Sequence, residues 1–299
     1  MKLIKPVLFQ DSMLISTTAV NADANWSSGT TYSIGQIVTY NSKRYESLQN
    51  TNNNHTPSTS PTWWLDLGAD NKHAMFDSVV GTSTSAITTL EVVFKPGVII
   101  DSLALINVDA DVISIEITDG LAGPVVYKRT YGLSGGTVTN WYDYFFNDPL
   151  LNRTQIVLSD IPPYVNAHVK VTLTSSVGTV SSVGVCSFGT LYTLGDTEYG
   201  ATAGIIDYSK KETDEFGNIS FVERAYSKRM SANVYVNNSQ INRVQNLLYS
   251  VRAKPSVWVA SDNPVYEEPL IIFGFYREFS TTISYPTFSM LSIEIEGLT

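Results

Sequence analysis

Residues 26–68, WSSGTTYSIGQIVTYNSKRYESLQNTNNNHTPSTSPTWWLDLG, set how the rest of the chain is read. Tyr32 and Gly35 precede a short alternating run, Ile37-Val38-Thr39-Tyr40. Asn41-Ser42-Lys43 supply turn chemistry, and Arg44-Tyr45-Glu46-Ser47 reads as the returning strand. A polar loop, 49–61, then closes on Trp63-Trp64. The bulky side chains are nearly all aromatic: Trp26, Tyr32, Tyr40, Tyr45, Trp63 and Trp64. A unit of about 40 residues buries little surface, so large rings must supply its core. Rings left on its surface would form a flat stacking platform.

The order Trp26, Tyr32-x-x-Gly35-x-x-Val38-x-Tyr40, Tyr45, Pro57 or Pro61, and Trp64-x-x-x-Gly68 resembles the chitin-binding, type 3 carbohydrate-binding modules of the family 5/12 group. One position departs: Gln36 stands where that family usually has an acidic residue. The resemblance implies saccharide binding by stacking. A pyranose presents an apolar CH face, which a ring with a polar tip matches. Trp26, Tyr32, Tyr45 and Trp63 are the candidate platform rings, with Asn50, Asn52 and Asn54 as polar readers. Trp64 aligns with the family tryptophan before x-x-x-Gly and is assigned to the core. Two blander readings compete: all six rings hold a minimal fold together, or the module serves protein contact alone.

Working outward, a chain of 299 residues suggests two or three domains. Only 16% of residues are charged, below the usual quarter, while Ser, Thr, Asn and Gly abound; this fits β-rich proteins of extracellular or virion type. The net charge of −9 leaves no surplus of cations to displace counterions, so nucleic-acid duplexes and anionic membranes are disfavoured as partners. The single cysteine, Cys186, cannot form an internal disulfide and reads as a small buried apolar residue. No apolar run reaches transmembrane or signal-peptide length, so no membrane insertion is expected. A sugar-binding pattern without a secretion signal suits a virion component made in the host cytoplasm and released by lysis.

Residues 1–25 read as short strands or an extended arm, followed by the module at 26–68. From 74 to 189 the signals are all β. Leu90–Phe94, Val112–Thr118, Val125–Tyr131, Gln155–Leu158, Ala167–Thr174 and Val183–Phe188 alternate or are apolar, and Val98–Val108 reads as buried on both faces. Seven or eight turn-punctuated strands imply an antiparallel β-sandwich; their order is similar to a galactose-binding-like jelly roll. Residues 190–299 read as a second β domain. It holds a hairpin across Glu215-Phe216-Gly217-Asn218 and strands at Ala232–Val236, Val257–Ala260, Leu270–Tyr276 and Ser289–Glu296. Its one helix, 239–252, has the stripe Ile241, Val244, Leu247, Leu248 and Val251, with Ser239 as the expected cap.

The C-terminal run Ile271–Ser280, then Tyr285–Ser289 and Ser292–Leu298, resembles the C-termini of tail-tip (distal tail, baseplate-type) proteins of long-tailed bacteriophages. The resemblance implies a structural ring subunit, trimeric or hexameric, whose partners are tube, hub and fibre proteins and whose module touches host-surface polysaccharide. Lys210-Lys211, Arg224 and Lys228-Arg229 are the basic clusters, read as solvated strand faces or as a subunit contact. The alternative is a glycan-degrading enzyme with an accessory module, which needs two carboxylates flanking the bond. Asp101, Asp109, Asp111, Asp119, Asp143 and Asp148 single out no pair. His55, His73 and His168 lack ligand spacing, and Asn107-x-Asp109-x-Asp111 lacks the glycine and terminal glutamate of a calcium loop. No catalytic residue, metal or cofactor is therefore expected.

Overall fold

The computed structural model describes residues 1–133, 141, 145, 153–213, 216, 219–261, 263, 267–283 and 285–298. Asp143, Asp148, the Gly135-Gly136 pair and all of the Glu215–Asn218 turn except Phe216 lie outside the described residues.

The chain begins with β1 (Lys2–Pro6) and β2 (Leu14–Thr17). The module follows as β3 (Thr31–Tyr32), β4 (Ile37–Tyr40), β5 (Lys43–Ser47), β6 (Asn52–Asn53) and β7 (Trp64–Ala69). Then come β8 (Thr84–Ile87), β9 (Thr89–Phe94), β10 (Ser102–Asp109), β11 (Val112–Asp119), β12 (Val125–Gly132), β13 (Gln155–Leu158), β14 (Ala167–Thr174) and β15 (Val180–Thr193). The remainder is β16 (Asp196–Thr197), β17 (Thr202–Asp207), β18 (Lys210–Thr213), β19 (Ile219–Val222), β20 (Tyr226–Asn237), α1 (Ile241–Ser250), β21 (Ser256–Val259), the one-turn α2 (Glu267–Leu270), β22 (Ile271–Thr282) and β23 (Phe288–Gly297).

Two antiparallel sheets form the body. The smaller has the order β12-β11-β14-β9-β2; the larger, of 11 strands, runs β13-β10-β15-β1-β21-β22-β23-β20-β16, with β17 on β20 and β8 on β15. Side chains alternate along a strand, so Leu90, Val92 and Phe94 of β9 share a face with Val169, Val171 and Leu173 of β14 and with Ile113, Ile115 and Ile117 of β11. All nine are fully buried against Leu103, Leu105, Ile156, Leu158 and Phe188 of the larger sheet. This is the sandwich that the alternation implied. Val98 and Ile99 are the exception in that run: they are half exposed, and the doubly buried segment begins at Ser102.

The expected division at 189/190 falls inside the 14-residue β15, so the larger sheet runs unbroken from the sandwich into the C-terminal half. Residues 1–25 are not a loose arm. β1 lies at the centre of that sheet, between β15 and β21, and β2 is an edge strand of the smaller one. Leu3 packs with Trp258 and Ile272, while Ile4, on the other face, packs with Val257, Val259, Ile271 and Phe273. Helix α1 covers the first of these faces through Val244, Leu247 and Leu248. Its cap differs from expectation. A 3-10 turn, Asn238–Gln240, precedes the helix, and the Asn237 side chain accepts from the Ser239 amide at 3.0 Å. The expected hairpin is present as β18–β19, but Ile205 and its neighbours pair separately with β20.

The module is an insertion between β2 and β8 rather than a separate N-terminal domain. Its incoming and outgoing segments are tied at a neck, where Asn21 Nδ2 donates to Asp70 Oδ2 at 2.7 Å. The His73 ring nitrogen lies 2.6 Å from Asp70 Oδ1.

Candidate functional site

The module is built on a three-stranded sheet, β4-β5-β7, with a two-stranded ribbon, β3-β6, beside it. Tyr40 pairs with Lys43, so Asn41 and Ser42 form a two-residue loop. Both have positive φ, 48° and 61°, as the tight hairpin loops that match strand twist require. That turn sets the register: Val38 faces Tyr45, and both point inward.

The register decides the fate of the candidate rings. Tyr32 and Tyr45 are 7% and 5% exposed, so they are core side chains and not platform rings. Tyr32 packs edge-on against Trp64 at 5.2 Å, and its hydroxyl accepts from the Ser27 amide at 2.7 Å. Burial pushes the Tyr45 hydroxyl pKa up. Trp64 is 2% exposed, as its alignment implied, and its indole N–H donates to the His55 carbonyl at 2.8 Å. Trp26 is half-buried and meets Tyr40 edge-on at 5.3 Å; its indole nitrogen is buried and has no hydrogen-bond partner among the described residues.

Asn52 is fully buried and works as a brace instead of a surface reader. Its amide donates to Ser47 Oγ at 3.0 Å and to the Trp63 carbonyl at 3.3 Å, and its oxygen lies 3.1 Å from His55 Nδ1. Asn50 and Asn54 are exposed, and Asn50 Oδ1 accepts from the Ile34 amide at 3.1 Å.

Trp63 is half-buried. The His55 ring lies flat on it, with centroids 3.9 Å apart and planes 11° from parallel. The Trp63 backbone is fixed on both sides, its carbonyl accepting from the Leu48 amide at 2.9 Å and its amide donating to the Ser60 carbonyl at 3.0 Å. Asn52 therefore holds both members of the stacked pair. Sequence reasoning treated His55 only as an isolated histidine. Its position three residues after Asn52, inside the loop that closes on Trp63, was the available signal.

The remaining candidates are spread through the body. Asp101 Oδ1 accepts from the Leu191 amide at 2.7 Å, and Asp111 Oδ2 accepts from the Ser176 amide at 2.8 Å. Asn107 Nδ2 donates to the Val80 carbonyl at 3.2 Å. Among the described residues no three His, Cys, Asp or Glu side chains gather in a metal-binding group. Cys186 is buried, which pushes its thiol pKa up. Lys228 and Arg229 have partners in their own chain, Glu268 at 2.8 Å and Glu294 at 3.6 Å. Among the described residues no helix is long and apolar enough to cross a membrane.

No curated protein matches the chain. Residues 25–65, the segment that holds Asn52, His55, Trp63 and the aromatic core, match Carbohydrate-binding module family 5/12, and the chain thus carries a carbohydrate-binding module of that family within a β-sandwich protein.

Proposed function

We propose that this chain is a non-enzymatic structural subunit of a bacteriophage tail tip that touches host-surface polysaccharide through its module. The observation that carries the glycan contact is the stacked Trp63–His55 pair, held at the module surface by a buried asparagine. A partly exposed indole supported from behind by a second flat ring is suited to the CH face of a pyranose. Exposed Asn50 and Asn54 in the same loop are the polar readers, and half-buried Trp26 is a second ring of the surface.

The tail-tip reading rests on the resemblance of the C-terminal run, with the exposed apolar surface as support. Ile205, Ile219 and Phe221 are 62%, 54% and 76% exposed, and β18–β19 form a ribbon of their own outside the main sheets. Apolar side chains displayed in this way mark interaction surfaces. In a ring of such subunits, weak glycan contacts would add through avidity. Tube, hub and fibre proteins are the neighbours this reading names, and the virion is its place.

Negative-stain microscopy of the purified chain tests the assembly, which predicts closed rings. Single particles at every concentration would contradict it. Release of reducing ends from chitin or bacterial polysaccharide would favour the enzymatic alternative.

A further inference from the structure

A cavity of about 490 Å3 opens at a gap in the larger sheet. Pairing of β1 with β15 stops at Gly189, and pairing of β8 with β15 stops at Val183, so residues 184–188 have no strand neighbour on that side. The walls are apolar. Phe9 and Phe76 stack at 3.8 Å with planes 2° apart, and Val7, Phe188 and Phe273 continue the lining. The volume lies in the range of small-molecule sites.

Three polar groups interrupt the apolar lining. Lys5, on β1, and Lys254, after α1, both line the cavity, and neither makes an ion pair among the described residues. Unpaired cations are unexpected where 28 acidic residues outnumber 19 basic ones. The third is Ser187: it is 6% exposed, and its Oγ has no hydrogen-bond partner among the described residues. Buried polar groups are normally satisfied, so this hydroxyl marks a place for a ligand atom.

We propose that the cavity binds an amphipathic anion, a carboxylate carried on a hydrocarbon or aromatic body. The lysines hold the charged head, the phenylalanines take the apolar body, and Ser187 supplies a hydrogen bond. A neutral saccharide fits this set poorly, because it would leave both lysines uncompensated and the ring walls only partly used. The site is independent of the module and of the glycan reading.

The test is calorimetric titration of the full chain with decanoate, kept below its micelle concentration, beside the neutral probe decanol. Saturable one-to-one binding of decanoate is expected. The Lys5→Glu/Lys254→Glu double variant should bind about tenfold more weakly, the loss of one charge-assisted contact. Decanol should bind more weakly than decanoate and respond to neither substitution. Melting curves confirm that the variants fold, and Lys254→Glu alone, on an exposed turn, serves if the double variant does not. Absence of saturable binding, equal affinity in the folded charge variants, or decanol binding as tight as decanoate would each overturn the proposal.

Discussion

Asn52, Tyr32 and Trp63 illustrate three different uses of a side chain within one small module. Replacing Asn52 by Ala leaves Ser47 Oγ and the Trp63 carbonyl without their interior donor. The expected loss is about 1–3 kcal/mol of stability, read as a lower melting temperature, together with weaker glycan retention as the Trp63–His55 pair loosens. Tyr32→Phe removes only the hydroxyl that accepts from Ser27. It should cost about 0.5–1.5 kcal/mol and leave glycan retention unchanged, measured by melting and by polysaccharide co-sedimentation; a loss of retention at full stability would return Tyr32 to the binding surface. Much of this was legible in the chain. The spacing of Trp64 placed it in the core correctly. The inward turn of Tyr45 was also available, because a two-residue loop at Asn41-Ser42 puts it opposite Val38, an apolar residue bound for the core. The brace at Asn52 was not legible, since residue order does not say that a polar loop folds back beneath a ring.

Asp70 belongs to the neck that ties the module to the sandwich. Burial alone would raise the Asp70 pKa, but hydrogen bonds from His73 and Asn21 outweigh it and hold the carboxyl below its ordinary value of 3.8. A depressed folded pKa contributes stability above the unfolded pKa and loses it as pH falls through the folded value. Melting of the module is therefore expected to be flat in this contribution near neutrality and to fall below about pH 4. Asp70→Asn should melt lower at neutral pH and show a flatter acid limb; identical acid profiles would discount the neck. In the sheet, a Cβ on Gly189 would stand 2.0 Å from the Lys5 carbonyl oxygen, so Gly189→Ala must push β1 and β15 apart. The expected cost is about 1–3 kcal/mol, measured by chemical denaturation. Period-two alternation made β9, β11 and β14 readable from sequence because each buries one face. The true extent of β15 was not readable. The change in texture after Gly189 looks like a domain edge, and only the partner strand reveals why glycine stands there.

The whole molecule is one β body with a glycan-binding module let into it between two of its strands. Because Asn21 and Asp70 lie in hydrogen-bond contact, the ends of the insertion are adjacent. Replacing residues 23–68 by a short Gly-Ser link should leave the body folded, with its melting transition unchanged and the polysaccharide contact gone. Loss of the body transition would show that the module is structurally required. The composition and the C-terminal resemblance pointed to a structural β protein, but the insertion itself depends on β2 pairing with β9 across about 75 residues, a long-range contact that no local pattern records. The measurement that bears most directly on the account is co-sedimentation of the full chain and its Trp63→Ala variant with insoluble chitin and host-surface polysaccharide, with melting curves as the control on folding. The account predicts that the wild-type chain is retained and the variant, melting within a few degrees of it, is largely released. Equal retention of two equally folded proteins would contradict it.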